Sequence, residues 1–332
     1  MPRNFSLSPA DQNAVLTKGV KAEFYKIHGE LMKQAGWQDL CMMLDSNNDS
    51  EVYPWLGDLP IVREWLGPRQ AGDLAGGDFT IKNKLYESTM AIKRTELDDN
   101  KMGGVKLRIR GMAAQMAAHP EAMVMQFLAG AVAAGTHAAA PYLCHDGQGL
   151  FDADHPAPVD PDPLWPTTAV QVNYEAVALT SANLWLAIEK MMMFRDTKNR
   201  PMGIVPNVLM VEPCLAEMAM KLCLSAFHAD SAVANVGNSI NGLKEFKIKV
   251  IVAPALYSTS TIANANWILA CTNHPSGVKP VIYQERDKVE FSAQEKDSEN
   301  GFELDEYRYG TRARGNVGAG LWFLVYGSSG AA

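Results

Sequence analysis

Residues 78–99 place the hardest constraint on how this chain folds. Phe79 and Ile81 alternate with Thr80 and Lys82, and Met90 and Ile92 alternate with Ala91 and Lys93. That is the period-two pattern of strands with one apolar face, and Asn83-Lys84 is placed to turn the chain between them. The segment reads as a two-stranded ribbon. An isolated two-stranded hairpin is at best marginally stable in water, so the ribbon must lie on something. Each large side chain it buries contributes roughly 1.5–3 kcal/mol. Its own body and a neighbouring molecule are both open as the covering surface.

Upstream, residues 8–35 read as an amphipathic helix. Ser8 suits the cap, Pro9 the first helical position and Asp11 the first turn. Leu16, Val20, Phe24, Ile27 and Leu31 recur at spacings of three or four, and Gly36 offers a stop. Downstream, Val105, Ile109, Met112 and Met116 mark a helix over 105–118. His119-Pro120-Glu121 is expected to end it and start a second one running to Ala134.

A loop region over 141–168 is followed by a helix predicted for Asn173–Arg195, with Asn173 as its cap. Short strands at Val208–Val211, Phe246–Ala253 and Trp267–Cys271 then flank a helix near Cys214–Phe227. Beyond Lys279 strands dominate: Val281–Gln284, Val289–Ala293, Phe302–Tyr309 and Leu321–Tyr326. This is a mixed α+β chain without the strict strand–helix alternation of a doubly wound sheet.

Few residues invite catalysis. The run His145-Asp-Gly-Gln-Gly-Leu-Phe-Asp-Ala-Asp-His155 holds two histidines and three aspartates, and a metal-dependent hydrolase built on His145, Asp152, Asp154 and His155 is the enzymatic alternative. Its spacing fits neither a helix-borne zinc pair nor a calcium loop, so the favoured reading is a turn whose carboxylates cap backbone N–H groups. Gly315-Asn-Val-Gly-Ala-Gly320 has too little chain after it for a dinucleotide fold, and its glycines are expected to relieve crowding near a terminal strand. Five scattered cysteines without a C-x-x-C argue against a disulfide framework or zinc knuckle. The chain reads as non-enzymatic, with no catalytic residue, cofactor or metal expected.

Charge narrows the partners. Thirty basic residues against 37 acidic ones give a net charge of −7, the wrong sign for gripping nucleic acid by its phosphates. Nine acids and three bases fall between Glu285 and Glu306, followed by Arg308, Arg312 and Arg314. Pairing of these arginines with the acidic segment of another subunit is the expectation. No apolar run reaches the roughly 18 residues of a membrane span.

Five short motifs, in order, carry a resemblance. They are Gly57-Asp-Leu-Pro-Ile-Val-Arg-Glu-Trp65; Ile81-Lys-Asn-Lys-Leu-Tyr-Glu87 running into Glu96-Leu-Asp-Asp99; and Asp146-Gly with Leu150-Phe-Asp-Ala-Asp-His-Pro156. Phe194-Arg-Asp-Thr with Met202-Gly-Ile-Val-Pro206, and Tyr309-Gly-Thr-Arg-Ala-Arg-Gly-Asn-Val-Gly with Leu321-Trp322, complete the set. Together they resemble the Mu-like phage major head (capsid) proteins from about residue 53 to 327.

The resemblance implies the tailed-phage capsid fold of the Hong Kong phage type. Residues 1–50 would be an N-terminal arm, 51–71 and 104–169 a peripheral domain with a long spine helix, and 72–103 an extended β-loop. Residues 170–278 would be an axial domain, and 279–332 return strands of the peripheral domain. It implies a major capsid protein that assembles as hexamers and pentamers into an icosahedral head around double-stranded DNA, without sequence-specific binding or a membrane. Scaffold, portal and decoration proteins are implied partners, with assembly in the host bacterial cytoplasm; another virion component, tail or decoration, is the structural alternative. Candidate contacts between subunits are Leu16, Val20, Phe24, Ile27 and Leu31 on the arm, Phe79, Ile81, Leu85, Met90 and Ile92 on the ribbon, and Arg312 and Arg314.

Overall fold

The computed structural model describes residues 9–34, 36–54, 78–93, 95, 102–158, 170–196, 199–224, 247–256, 262–294 and 306–330. In chain order the main elements are α1 (Pro9–Gln34), β1 (Cys41–Asp45), β2 (Ser50–Pro54), β3 (Asp78–Lys82), β4 (Lys84–Lys93) and α2 (Met102–Ala134). They continue with α3 (Ser181–Met193), β5 (Val208–Val211), α4 (Ala216–Leu224), β6 (Lys249–Val252) and β7 (Trp267–Ala270). The last are β8 (Val281–Gln294), β9 (Glu306–Ala319) and β10 (Val325–Ser328).

These strands form two four-stranded sheets, ordered β1-β8-β9-β4 and β10-β7-β5-β6, and a separate β2–β3 ladder. The second sheet is buried because its inner strands, Val-Leu-Met-Val and Trp-Ile-Leu-Ala, are apolar on both faces.

The ribbon forms differently from its expectation. β3 and β4 are strands, but they do not pair with each other: β3 pairs antiparallel with β2, and β4 pairs with β9 along all of its length, from Lys84↔Gly315 to Lys93↔Glu306. Asn83 is the reason. Instead of turning the chain it is buried, and its side chain donates to Ser46 Oγ and to the Asn48 carbonyl, each at 2.8 Å. The chain therefore passes from one ladder to another through a pinned residue.

Pro120 does not end a helix either. α2 runs through it as one 33-residue rod. A proline inside a helix costs about 3 kcal/mol, offset here by apolar residues buried on both sides. Val105, Ile109, Met112 and Met116 pack into a small core with Val20 and Phe24 of α1, Ile92, Phe291 and Tyr309. Val124, Met125, Phe127, Leu128, Ala131 and Val132 pack into the large core with the second sheet. The ladder of β8 and β9 is irregular between Glu285 and Glu290. A groove of about 440 Å³ lies there, lined by Met116, His119, Pro120, Tyr283 and Glu285 among others.

Three further expectations are corrected. The predicted helix at 173–195 begins at Ser181, capped by Thr180 Oγ1, which accepts from the Asn183 N–H at 3.2 Å. The two short strands at 281–284 and 289–293 are one strand, β8. The final strand, expected at Leu321–Tyr326, is β10 at Val325–Ser328, preceded by a 3-10 turn over Trp322–Leu324, and it pairs with β7 in the second sheet. Ser8 and the predicted strand start at 302–305 lie outside the described residues.

Candidate assembly surfaces

The expected contact residues divide by burial. Val20, Phe24, Ile81 and Ile92 are buried within the chain, so their apolar surface is spent there. Phe24 packs on Phe291 with ring centroids 5.0 Å apart and planes tilted by 38°, which docks α1 onto β8. Ile27 and Met90 pack partly buried against the same core. Leu31 and Leu85 remain exposed, Leu85 at 59%. Strand period explains the split: Met90 and Ile92 share the inner face of β4, while Leu85 is on the outer one. The side chains of Leu16 and Phe79 lie outside the described residues.

The two arginines find partners inside the chain. Arg312 Nη2 lies 3.3 Å from Asp287 Oδ2 across the β8–β9 ladder, and Arg314 pairs with Asp49 in the turn between β1 and β2. The antiparallel register sets Asp287 opposite Arg314 and Glu290 opposite Arg312, so the Arg312–Asp287 pair runs diagonally across the ladder while Arg314 turns to Asp49. Some of the charge complementarity seen in the sequence thus serves the subunit's own sheet. Nearby, burial and the neighbouring Asp45 raise the Glu285 carboxyl against the opposing pull of Lys288.

The aspartate–histidine loop builds a structural knot. Asp152 Oδ2 accepts from the His137 N–H at 2.7 Å, and its Oδ1 accepts from the Asp154 N–H at 3.1 Å. Asp146 Oδ1 accepts from the Gln148 N–H at 3.1 Å, while its Oδ2 meets His155 Nδ1 at 2.7 Å. Fully buried His155 stacks on Trp322, with centroids 4.0 Å apart, and its Nε2 lies 3.1 Å from Asn173 Oδ1. Burial pushes Asp146 up, but the His155 hydrogen bond and charge outweigh it and hold the carboxyl below its usual value. Burial brings neighbouring His145 down to about 4. Asp146 and Asp152 are thus engaged in capping and pairing, and among the described residues no group of three or more His, Cys, Asp or Glu side chains is arranged to hold a metal ion.

Sequence reasoning missed the residues that tie these parts together. Asn173, expected as a helix cap, is a buried hub: its Nδ2 donates to the carbonyls of Leu150 at 2.8 Å and Trp322 at 2.9 Å, and its Oδ1 accepts from the Asp152 N–H at 2.8 Å. Gln284 receives the Tyr53 hydroxyl at 2.8 Å and so roots the β2–β3 ladder on the first sheet. One signal was available: Asn is depleted in strands, so Asn83 between two β-runs marks a position with a polar task.

The glycines of the final run behave as expected. A Cβ on Gly315 would fall 2.5 Å from the Gln284 carbonyl oxygen, one on Gly318 2.4 Å from Ile81 Cδ1, and one on Gly320 2.5 Å from the Pro280 oxygen. They let three segments approach one another at the end of the first sheet.

Comparison with known proteins bears on this arrangement. The chain matches the family model described as Mu-like prophage major head subunit gpT over residues 14–176, 168–256 and 255–331. It is 26% identical over 153 residues to the Mu-like prophage FluMu major head subunit of Haemophilus influenzae, covering 46% of this chain and 47% of that one. It is 28% identical over 120 residues to the major capsid protein of Escherichia phage Mu, covering 36% and 37%. The matched region thus spans less than half the length of these curated relatives. Among solved structures, the procapsid of bacteriophage JBD30 aligns with a TM-score of 0.54 at 26% identity, over 98% of this chain and 77% of that one.

Proposed function

From the premise that this chain belongs to the Mu-like prophage major head subunit family and has the tailed-phage capsid fold, we propose that it is the major capsid protein of a Mu-like tailed phage. The observation that carries the proposal is the family match, which extends in three consecutive blocks from residue 14 to 331. The role is structural rather than enzymatic: copies assemble as hexamers and pentamers into a closed shell around double-stranded DNA. Each joint is modest, and stability comes from many joints formed at once in closed rings.

In this reading α1 is the core of the N-terminal arm, α2 the spine helix, and the second sheet the centre of the axial domain. The β2–β3 ladder and β4 are the parts that reach toward a neighbour. Leu31 and Leu85 are the arm and ribbon residues with apolar surface to spare for that contact. A net charge of −7 suits a container, since a strongly basic wall would adsorb the genome as it entered. The reading includes scaffold, portal and decoration proteins as partners, and assembly in the host cytoplasm before incorporation into the virion. Among the described residues no helix is long and apolar enough to cross a membrane.

Electron microscopy and sedimentation of the purified protein, alone and co-expressed with its phage's scaffold, test the proposal. Icosahedral shells, or free hexamers and pentamers, are expected. A uniform monomer under both conditions would refute it.

A further inference from the structure

The layer formed by α1 and the first half of α2 carries charge of the opposite sign to the chain as a whole. From Lys18 onward α1 exposes Lys18, Lys21, Lys26 and Lys33, and α2 as far as Ala118 exposes Lys106, Arg108 and Arg110. The same two stretches hold two carboxylates, Glu23 and Glu30. The whole chain has a net charge of −7, so this cationic surplus is local. The two helices pack against each other, and Arg110 Nη2 reaches Glu23 Oε1 at 2.8 Å between them. That hydrogen bond, with Lys26 and Lys106 close enough to add their pull, holds the Glu23 carboxyl below the usual carboxylate range. At this seam one carboxylate answers three cations.

The surface among these charges is small and apolar. Ala22 shares the outward face of α1 with Lys18, Lys26 and Lys33, opposite buried Val20 and Phe24. On α2, Gly104, Leu107, Gly111 and Ala118 are exposed at spacings of three, four and seven, opposite buried Val105, Ile109 and Met112. Leu107 is 71% exposed, and nothing lies within 4 Å of a Cβ built on Gly104 or Gly111. Glycine weakens a helix, and no described neighbour calls for it at these positions. A floor of small residues with one large apolar side chain and a cationic border suits a further helix lying on this layer.

We propose that this face docks an acidic amphipathic helix of a different protein, its apolar stripe over Leu107 and the glycines and its carboxylates among the lysines. Each rival occupant lacks one of the two features. Double-stranded DNA would meet the cations, but its phosphate backbone offers nothing to Leu107. A second copy of this chain lacks the carboxylates. The same face would repel itself, and among the described residues no helix carries a row of acids: α3 contributes Glu189 and α4 Glu217. A contact of this kind is steered by charge, so it is fast to form and weakened by salt. It is separate from shell closure, because every copy carries the face whatever ring the copies form.

Fluorescence anisotropy of the purified chain with labelled probes tests the docking face. The main probe is a helical peptide of roughly 20 residues of alanine, leucine and glutamate, with leucines along one face and glutamates beside them. The comparison probes are a scrambled peptide of the same composition and a DNA duplex of matching length. Capture of a polyanionic peptide by a chain of net charge −7 already requires a local cationic face. The helical peptide is expected to bind at least about tenfold more tightly than either comparison probe, and to weaken as salt is raised. Lys26→Glu with Lys106→Glu, and separately Gly111→Leu, should each weaken it about tenfold or more at unchanged melting temperature, whereas Lys26→Arg with Lys106→Arg should retain it. A photocrosslinker in place of one peptide leucine keeps the test on the parent chain, where it should attach to residues 104–118. No binding, equal binding of the scrambled peptide, a duplex bound as tightly, or attachment elsewhere would each overturn the proposal. So would oxidised Leu107→Cys chains that link to one another through that residue, which would make the occupant a second copy.

Discussion

Gln284 Nε2 donates a 2.7 Å hydrogen bond to Asn83 Oδ1, joining the second strand of the first sheet to the residue where the chain leaves one ladder for another. Both side chains are buried. Removing one partner leaves buried polar atoms unsatisfied, at about 1–3 kcal/mol for each. Asn83→Leu is therefore expected to lower stability by at least about 2 kcal/mol, read as a lower urea midpoint. An unchanged midpoint would mean that water replaces these bonds.

The Asp146–His155 pair and His145 predict acid sensitivity. His145 is brought down to about 4 by burial, so the unfolded chain binds its proton first as pH falls. Its contribution is complete above its ordinary value near 6.5 and is lost progressively as pH drops from there toward 4. Asp146 is held below its ordinary 3.8, so the stability it adds persists above that value and is lost as pH falls through the folded one. Burial lowers His28 and His119 at the groove in the same direction as His145. The urea midpoint should fall steadily from pH 7 to pH 4, and His145→Gln should flatten that slope. A variant with the parent's slope would remove His145 from the account.

Glycines at close approaches should behave opposite to glycines on an open helix face. Gly315→Ala drives a methyl into the Gln284 carbonyl and is expected to cost about 1–3 kcal/mol. Gly111→Ala, in α2 with nothing within 4 Å, should stabilise by up to about 1 kcal/mol because alanine loses less backbone entropy. Paired thermal melts decide it, and equal shifts would contradict the placement of β9 on β8.

The Arg312–Asp287 pair is more than half exposed on the arginine side. Exposed pairs contribute little, so Arg312→Ala should change the stability read from urea denaturation by less than about 1 kcal/mol, and by less still in high salt. A larger loss would mean that Arg312 carries contacts beyond this ion pair.

Much of the architecture was legible locally. The 3.6-residue pattern of Val20, Phe24 and Ile27 marked α1, and Val105, Ile109, Met112 and Met116 marked the first half of α2. The glycine run was correctly read as a crowded strand end, and the aspartates at 146 and 152 as backbone caps. The helix patterns and the Asp146–Gln148 turn depend on neighbours a few residues away in the chain, whereas the groups that crowd Gly315, Gly318 and Gly320 are Gln284, Ile81 and Pro280, brought up by folding.

The sequence by itself determined the α+β class, the amphipathic faces, the acidic surplus and a set of motifs specific enough to point to a phage head subunit. Only the tertiary structure decided which strand pairs with which. Period two says that Met90 and Ile92 share a face, but it carries no information on whether β4 meets β3 or β9, residues more than 200 positions away. That choice was made by Asn83 and Gln284, polar groups whose partners are brought together only by folding. For the same reason Pro120 could remain inside a helix: local chemistry counts the lost hydrogen bond, whereas the cores on either side of it exist only once the sheets have formed.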